Sequence, residues 1–305
     1  MKNTWPGSTI TYFSKLLNKG HQRSVKAKKN ILASFLIRGG SIAIGLVLVP
    51  LTINYINPSR YGIWLTLSSI VAWFSFFDVG LTQGLRNRFA AALAKNNTEL
   101  AQSYVSTTYA ILAVIFFFVW IVFLIVNRYL NWANILNVSQ DMRNTVSILA
   151  VIVFTYFCIQ FVLKIITTIF IADQQPAKSS LITLLGQVLS LLIIFVLVKT
   201  TEGSLIKLGI ALCVSPILIL TLANIVFFRG TYRAYRPVFS KIRLSYAKDL
   251  FNLGVIFFVI QVASIIQYQT ANIIIARNFG TTEVTSYNIV FKYFGILNMV
   301  FTIFL

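Results

Sequence analysis

The chain has 305 residues, 57% of them hydrophobic and only 11% charged, with a mean hydropathy of +0.80. A soluble globular domain carries about 25% charged residues and a disordered chain is polar, so an aqueous enzyme, a collagen-like fibre and disorder are excluded. The 26 Lys and Arg against 7 Asp and Glu give a net charge of +19, which first suggests nucleic acid. A nucleic-acid binder gathers its cations on a folded face, however, and these lie between long apolar runs, where they act as topology signals.

Residues 1–30 form a basic tail with seven cations (Lys2, Lys15, Lys19, Arg23, Lys26, Lys28, Lys29) and no acid, directly before the first apolar run. That pattern places the N-terminus in the cytoplasm. A helix needs about 20 apolar residues to cross the hydrocarbon. Eight stretches qualify: 31–53, 61–84, 105–126, 146–171, 180–198, 205–228, 251–275 and 284–305. Polar turns separate several of them, as in Asn57-Pro58-Ser59-Arg60, Asp173-Gln174-Gln175-Pro176, Glu202-Gly203-Ser204 and Gly280-Thr281-Thr282-Glu283. The first run is too long for a signal-peptide core and has no small-residue cleavage pattern, so it is expected to be retained.

Threaded outward and back, the chain places seven cations in the tail, three in 85–104, one in 172–179 and six in 229–250 on the inner side, against six outside. This bias predicts an all-α polytopic membrane protein of eight helices with its N-terminus inside. The expected organisation is a tail (1–30), a six-helix bundle (31–228), a basic cytoplasmic linker (229–250) and the first two helices of a second, incomplete bundle (251–305). The last run stops at Phe301-Thr302-Ile303-Phe304-Leu305 without a polar cap, so the sequence is expected to be part of a longer protein.

Catalytic chemistry has little to work with. Cys158 and Cys213 lie inside apolar runs and read as packed thiols. His21, the sole histidine, lies in the tail, which excludes a histidine-based triad or zinc cluster; P-loop, GxSxG and DxD patterns are absent from the sequence. Seven acids over eight spans leave little general acid–base capacity. The expectation is transport by a non-enzyme with neither cofactor nor metal.

A weak internal match at an offset of 226 residues aligns Tyr61 with Tyr287, each following a helix and a short polar turn. Six spans lie between the two starts, so the repeats would be parallel six-helix bundles, and paired repeats around a central site are a transporter signature. The alternative is two helical hairpins that share a turn by chance.

Three stretches carry a family resemblance: Tyr61-Gly62-Ile63-Trp64-Leu65-Thr66-Leu67-Ser68-Ser69-Ile70; Phe77-Asp78-Val79-Gly80-Leu81-Thr82-Gln83-Gly84-Leu85-Arg86-Asn87; and Gln267-Tyr268-Gln269-Thr270-Ala271-Asn272-Ile273-Ile274-Ile275-Ala276 leading to Tyr287-Asn288-Ile289-Val290-Phe291-Lys292. Over residues 25–305 the chain resembles the O-antigen type polysaccharide repeat-unit flippases of the multidrug/oligosaccharidyl-lipid/polysaccharide (MOP) exporter superfamily. The resemblance implies two bundles around a cavity open alternately to each side of the bacterial inner membrane. Through it an undecaprenyl-diphosphate-linked oligosaccharide would be turned outward, with polysaccharide polymerases and glycosyltransferases as partners. Two other functions stay open: a cation-coupled drug or metabolite antiporter of the same superfamily, and a membrane glycosyltransferase or polymerase. The first would be expected to carry more intramembrane carboxylate than Asp78 alone, and the second a more acidic outer loop than 127–145.

An ionisable group within a span costs about 2.5 to 3.5 kcal/mol on insertion scales, so each needs a reason. Arg38 and Asp78 fall at similar depth, roughly 12 and 9 Å at 1.5 Å per residue, and form either a structural ion pair or a site in which Arg38 contacts the lipid diphosphate and Asp78 orients it. Lys164 shares that layer and reads as a second phosphate contact or as a snorkelling side chain. Lys292 is in the outer half and reads as a second station for the substrate, or as snorkelling or paired with Glu283. Gln261, Ser264, Tyr268 and Asn272 make a polar stripe on one face of span seven, lining a wet cavity that could bind sugar hydroxyls or joining helices by hydrogen bonds.

Overall fold

A computed structural model describes residues 22–304 other than Val79, without the side chains of 22–32, 76, 252–257, 261, 265 and 296–304. Its elements are helices only: α1 (Gln22–Ile56), α2 (Pro58–Ala72), α3 (Leu81–Ala94), α4 (Thr98–Asn127), α5 (Trp132–Leu136), α6 (Arg143–Leu163), α7 (Ile165–Ala172), α8 (Pro176–Thr200), α9 (Leu205–Arg229), α10 (Ser245–Phe279) and α11 (Thr281–Phe304). Six helical stretches among the described residues are long and apolar enough to cross a membrane, Ala33–Ile56, Thr98–Asn127, Gln140–Ala172, Pro176–Thr200, Leu205–Arg229 and Phe258–Phe279. The protein is an all-α polytopic membrane protein.

The expected second span departs from the reading of one continuous helix. Its apolar run divides into α2, a 3-10 segment Trp73–Asp78, and α3. The break follows from the residues at its end. Asp78 turns back to cap α3: the backbone N–H of Thr82 and its hydroxyl both donate to Asp78 Oδ1, at 3.1 and 2.7 Å. Gly80 takes the left-handed conformation, φ 76°, that leads into the helix. A carboxylate here also meets the positive end of the helix dipole. Asp78 and Gly80 thus set the start of α3 at Leu81. Leu81 and Leu85 are fully buried beside it, and a Cβ on Gly84 would stand 2.1 Å from the carbonyl oxygen of Leu250, so α3 and α10 meet backbone to backbone.

A second interruption lies at Lys164, between α6 and α7. A side chain from another helix occupies the gap: Asn224 of α9 donates to Leu163 O at 2.9 Å and accepts from the Tyr109 hydroxyl of α4 at 2.7 Å. Kinks of this kind arise where a side chain enters the helical hydrogen-bond ladder. Packing proceeds from α1 to α8, α9, α6, α4 and α3, while α10 and α11 lie against α3 and α2. Cys158 and Cys213 are buried free thiols, as the apolar runs around them imply.

The basic connections gather at one end of the helices. The α9–α10 segment bonds to the start of α4: Val238 N–H donates to Ser106 Oγ at 3.1 Å and Arg243 N–H to Thr107 Oγ1 at 3.0 Å. The basic segments 85–104 and 229–250 therefore lie on one side. Lys178 sits over the rings of Phe170, Phe227 and Tyr232, 5.2 to 5.7 Å from their centroids, and Tyr232 donates to Asp173 at 2.8 Å. Burial, reinforced by that carboxylate, holds the Tyr232 phenol well above its ordinary pKa.

Candidate functional site: two polar cavities that meet at Lys164

Two polar cavities meet at Lys164. One, of about 360 Å³, is lined by Asp78, Thr82, Gln83, Lys164, Thr168 and Ser264 among others. The second, of about 380 Å³, is lined by Lys164, Gln160, Thr167, Gln187 and Lys292 together with Tyr156 and the α8 residues Ser179, Thr183 and Ser190. Lys164 faces both because the α6–α7 break turns the chain there. Its own carbonyl accepts from the Thr167 hydroxyl at 2.7 Å and the Thr167 N–H at 2.9 Å, which starts α7.

The structure regroups the residues that the sequence singled out. Arg38 and Asp78 do not pair: the ion pairs among the described residues are Arg88–Asp249 and Lys241–Glu99. Asp78 is 3% exposed and bound to Thr82, whereas Arg38 is exposed on α1 and lines neither polar cavity. A carboxylate four residues from a helix-starting Thr is captured locally, and the matching depth of Arg38 does not bring it to the same side of its helix. Lys164 shares a cavity with Lys292 rather than with Arg38. Lys292 Nζ lies 3.5 Å from the Tyr61 hydroxyl, not against Glu283.

The α10 stripe divides. Ser264 reaches the Asp78 cavity, its hydroxyl donating to Ile260 O at 2.8 Å. Tyr268 is exposed and meets Phe291 edge-on, with centroids 6.1 Å apart. Asn272 is buried and joins helices: it donates to Ser69 Oγ at 2.7 Å and accepts from Asn288 at 2.7 Å. The Gln261 side chain lies outside the described residues.

Sequence reading missed the α8 contribution. Ser179, Thr183, Gln187 and Ser190 recur at steps of four, four and three, the same one-face signal as in α10. Gln187 Oε1 is buried with no hydrogen-bond partner among the described residues. An acceptor left in that state costs about 1 to 3 kcal/mol, which water or a bound donor relieves.

At the end opposite the basic segments, the two Tyr-containing copies touch. The Ser59 and Thr281 hydroxyls are 3.0 Å apart, and the Thr285 hydroxyl donates to Pro58 O at 2.7 Å. The starts of α2 and α11 are thereby sealed together.

Broken helices and polar cavities thus lie within an all-α polytopic membrane protein. No family model matches the chain. It is 20% identical over 276 residues to a putative O-antigen transporter of Salmonella typhi, covering 90% of this chain and 61% of that protein. In structure it is similar to a multidrug resistance MATE family transporter of the MOP superfamily in its inward-facing conformation, with a TM-score of 0.58 and 14% identity over 81% of this chain and 59% of that one. The chain spans about three fifths of the length of each. Its fold is that of a MOP superfamily transporter, in agreement with the flippase-type resemblance carried by the residues around Tyr61 and Asp78.

Proposed function

We propose that this chain takes part in moving an undecaprenyl-diphosphate-linked oligosaccharide from the cytoplasmic to the outer leaflet of a bacterial inner membrane by alternating access, with its N-terminus in the cytoplasm. The observation that carries this reading is Lys164 and Lys292, from distant parts of the chain, lining one cavity. Two ammonium groups match a diphosphate as point charges, and the hydroxyls and amides of α8 suit sugar hydroxyls. The seal between α2 and α11 supports a state closed at the outer end and approached from the basic side. Arg38, outside both cavities, is assigned no contact with bound diphosphate. Asp78, held by Thr82, serves Lys164 by lining the adjoining cavity, and its engagement as a helix cap gives a cation-coupled antiporter less support.

Surface polysaccharide in cells whose sole copy carries Lys164→Gln with Lys292→Gln tests the proposal. Loss of export at unchanged protein abundance is expected. Normal export by the double variant would overturn it.

A further inference from the structure

The segment between α9 and α10 is fixed in backbone yet leaves large apolar side chains uncovered. Besides the bonds of Val238 and Arg243 to Ser106 and Thr107, Gln102 donates to Arg236 O at 3.0 Å and Lys241 pairs with Glu99 at 2.6 Å. Phe239 is nevertheless 93% exposed and Leu244 71% exposed. Burying a large apolar side chain is favourable, so a strap held at both ends by α4 would be expected to turn them inward if nothing covered them.

Two observations say what does. Ser106 and Thr107 stand at the beginning of the apolar run of α4, the most hydropathic of the candidate spans, so the strap lies at the depth where headgroups give way to hydrocarbon. Arg233, Arg236 and Arg243 are exposed in the same segment as the two apolar side chains, and none forms an ion pair with an acid among the described residues. Apolar tips at the acyl boundary with arginines in the same segment are the pattern of an interfacial anchor, and cations near an anionic leaflet add to its attraction.

We propose that residues 233–244 form an anchor for anionic phospholipid, with Phe239 and Leu244 inserted at the acyl boundary and Arg233 and Arg236 against lipid phosphates. The anchor fixes the end of α9 and the start of α10, the two helices on either side of the strap, against the leaflet on the basic side.

The test uses purified protein in nanodiscs of phosphatidylcholine, with or without phosphatidylglycerol, carrying a nitrobenzoxadiazole label at Phe239→Cys. A label at Lys95→Cys, on the same side, is the control. Quenching by brominated acyl chains is expected to be several-fold stronger at 239 than at 95, and aqueous iodide is expected to quench 239 less. Arg233→Gln with Arg236→Gln should lower the bromine quenching at 239 in phosphatidylglycerol discs and leave it unchanged in phosphatidylcholine alone. An unchanged unfolding temperature would show that the variants are folded. Iodide quenching at 239 equal to that at 95, as for a surface reserved for another protein, would overturn the proposal. So would bromine quenching indifferent to phosphatidylglycerol and to the two arginines.

Discussion

Gly62 faces the backbone of Thr281 so closely that a Cβ at position 62 would stand 1.6 Å from the Thr281 carbonyl oxygen. The two residues are 219 positions apart, as their numbers give, and belong to the paired starts of α2 and α11. No side chain fits between these helices while they are in contact. The neighbouring hydroxyl pair of Ser59 and Thr281 and the bond from Thr285 to Pro58 O complete the seam. In the proposed alternating-access cycle this seam parts for the end opposite the basic segments to open.

Ser59→Cys with Thr281→Cys should therefore trap the closed state. The parent hydroxyls are 3.0 Å apart, and the native Cys158 and Cys213 are buried, so oxidation should join the new pair selectively. Export is expected to stop on oxidation and return with reductant. Full export by a protein shown by mass spectrometry to be cross-linked would mean that the seam stays shut throughout the cycle.

Gly62→Ala should act in the opposite sense, forcing α2 from α11. Increased labelling of a cysteine placed at Ser69, which the closed structure buries at 4% exposure, is the expected outcome with an impermeant reagent. Unchanged protection of that cysteine would show that the helices yield elsewhere.

At Asp78, charge and capping can be separated. Asp78→Asn keeps an acceptor for Thr82, whereas Asp78→Ala removes the cap, a loss of about 0.5 to 2 kcal/mol. Thermal unfolding of purified protein should show a clear decrease for Asp78→Ala and a smaller one for Asp78→Asn. Equal decreases would mean that the carboxylate charge, not the cap, stabilises this turn.

Six of the eight expected spans coincide with helices long and apolar enough to cross a membrane among the described residues, because hydrophobic length suffices to find them; 61–84 and 284–305 do not. The break in span two could not be read from its composition, since Trp73-Phe74-Ser75-Phe76-Phe77 is as apolar as the helix before it; the signal lay in Asp78, Gly80 and Thr82, a cap written inside a hydrophobic run. Depth reckoning placed Arg38, Asp78 and Lys164 in one layer but carries no information on which side of the bundle each faces, so it offered Arg38 as a partner or co-site for Asp78 and missed the cavity that Lys292 shares with Lys164. The α8 stripe was as readable as the α10 stripe, and the glycine contacts at 62 and 84 depend on neighbours more than 160 residues away that one sequence does not reveal.

The Lys164 junction depends on Asn224, which donates to the carbonyls of Leu163 and Leu220 and accepts from Tyr109. Asn224→Leu keeps the size but leaves Leu163 O and the Tyr109 hydroxyl without this partner. Destabilisation of about 1 to 3 kcal/mol is expected, visible as a lowered unfolding temperature. A variant as stable as the parent would show that the α6–α7 break is held by other contacts.

The account rests most heavily on Lys164 and Lys292 acting together on a polyanionic lipid head. Its direct test is the affinity of purified protein for undecaprenyl diphosphate compared with undecaprenol, in the parent and in Lys164→Gln, Lys292→Gln and Lys164→Arg. The parent should prefer the diphosphate, each glutamine variant should lose about tenfold of that affinity, equivalent to about 1.4 kcal/mol, and Lys164→Arg should retain most of it. Equal affinity for the two lipids, or a diphosphate affinity untouched by both glutamine substitutions, would contradict the account.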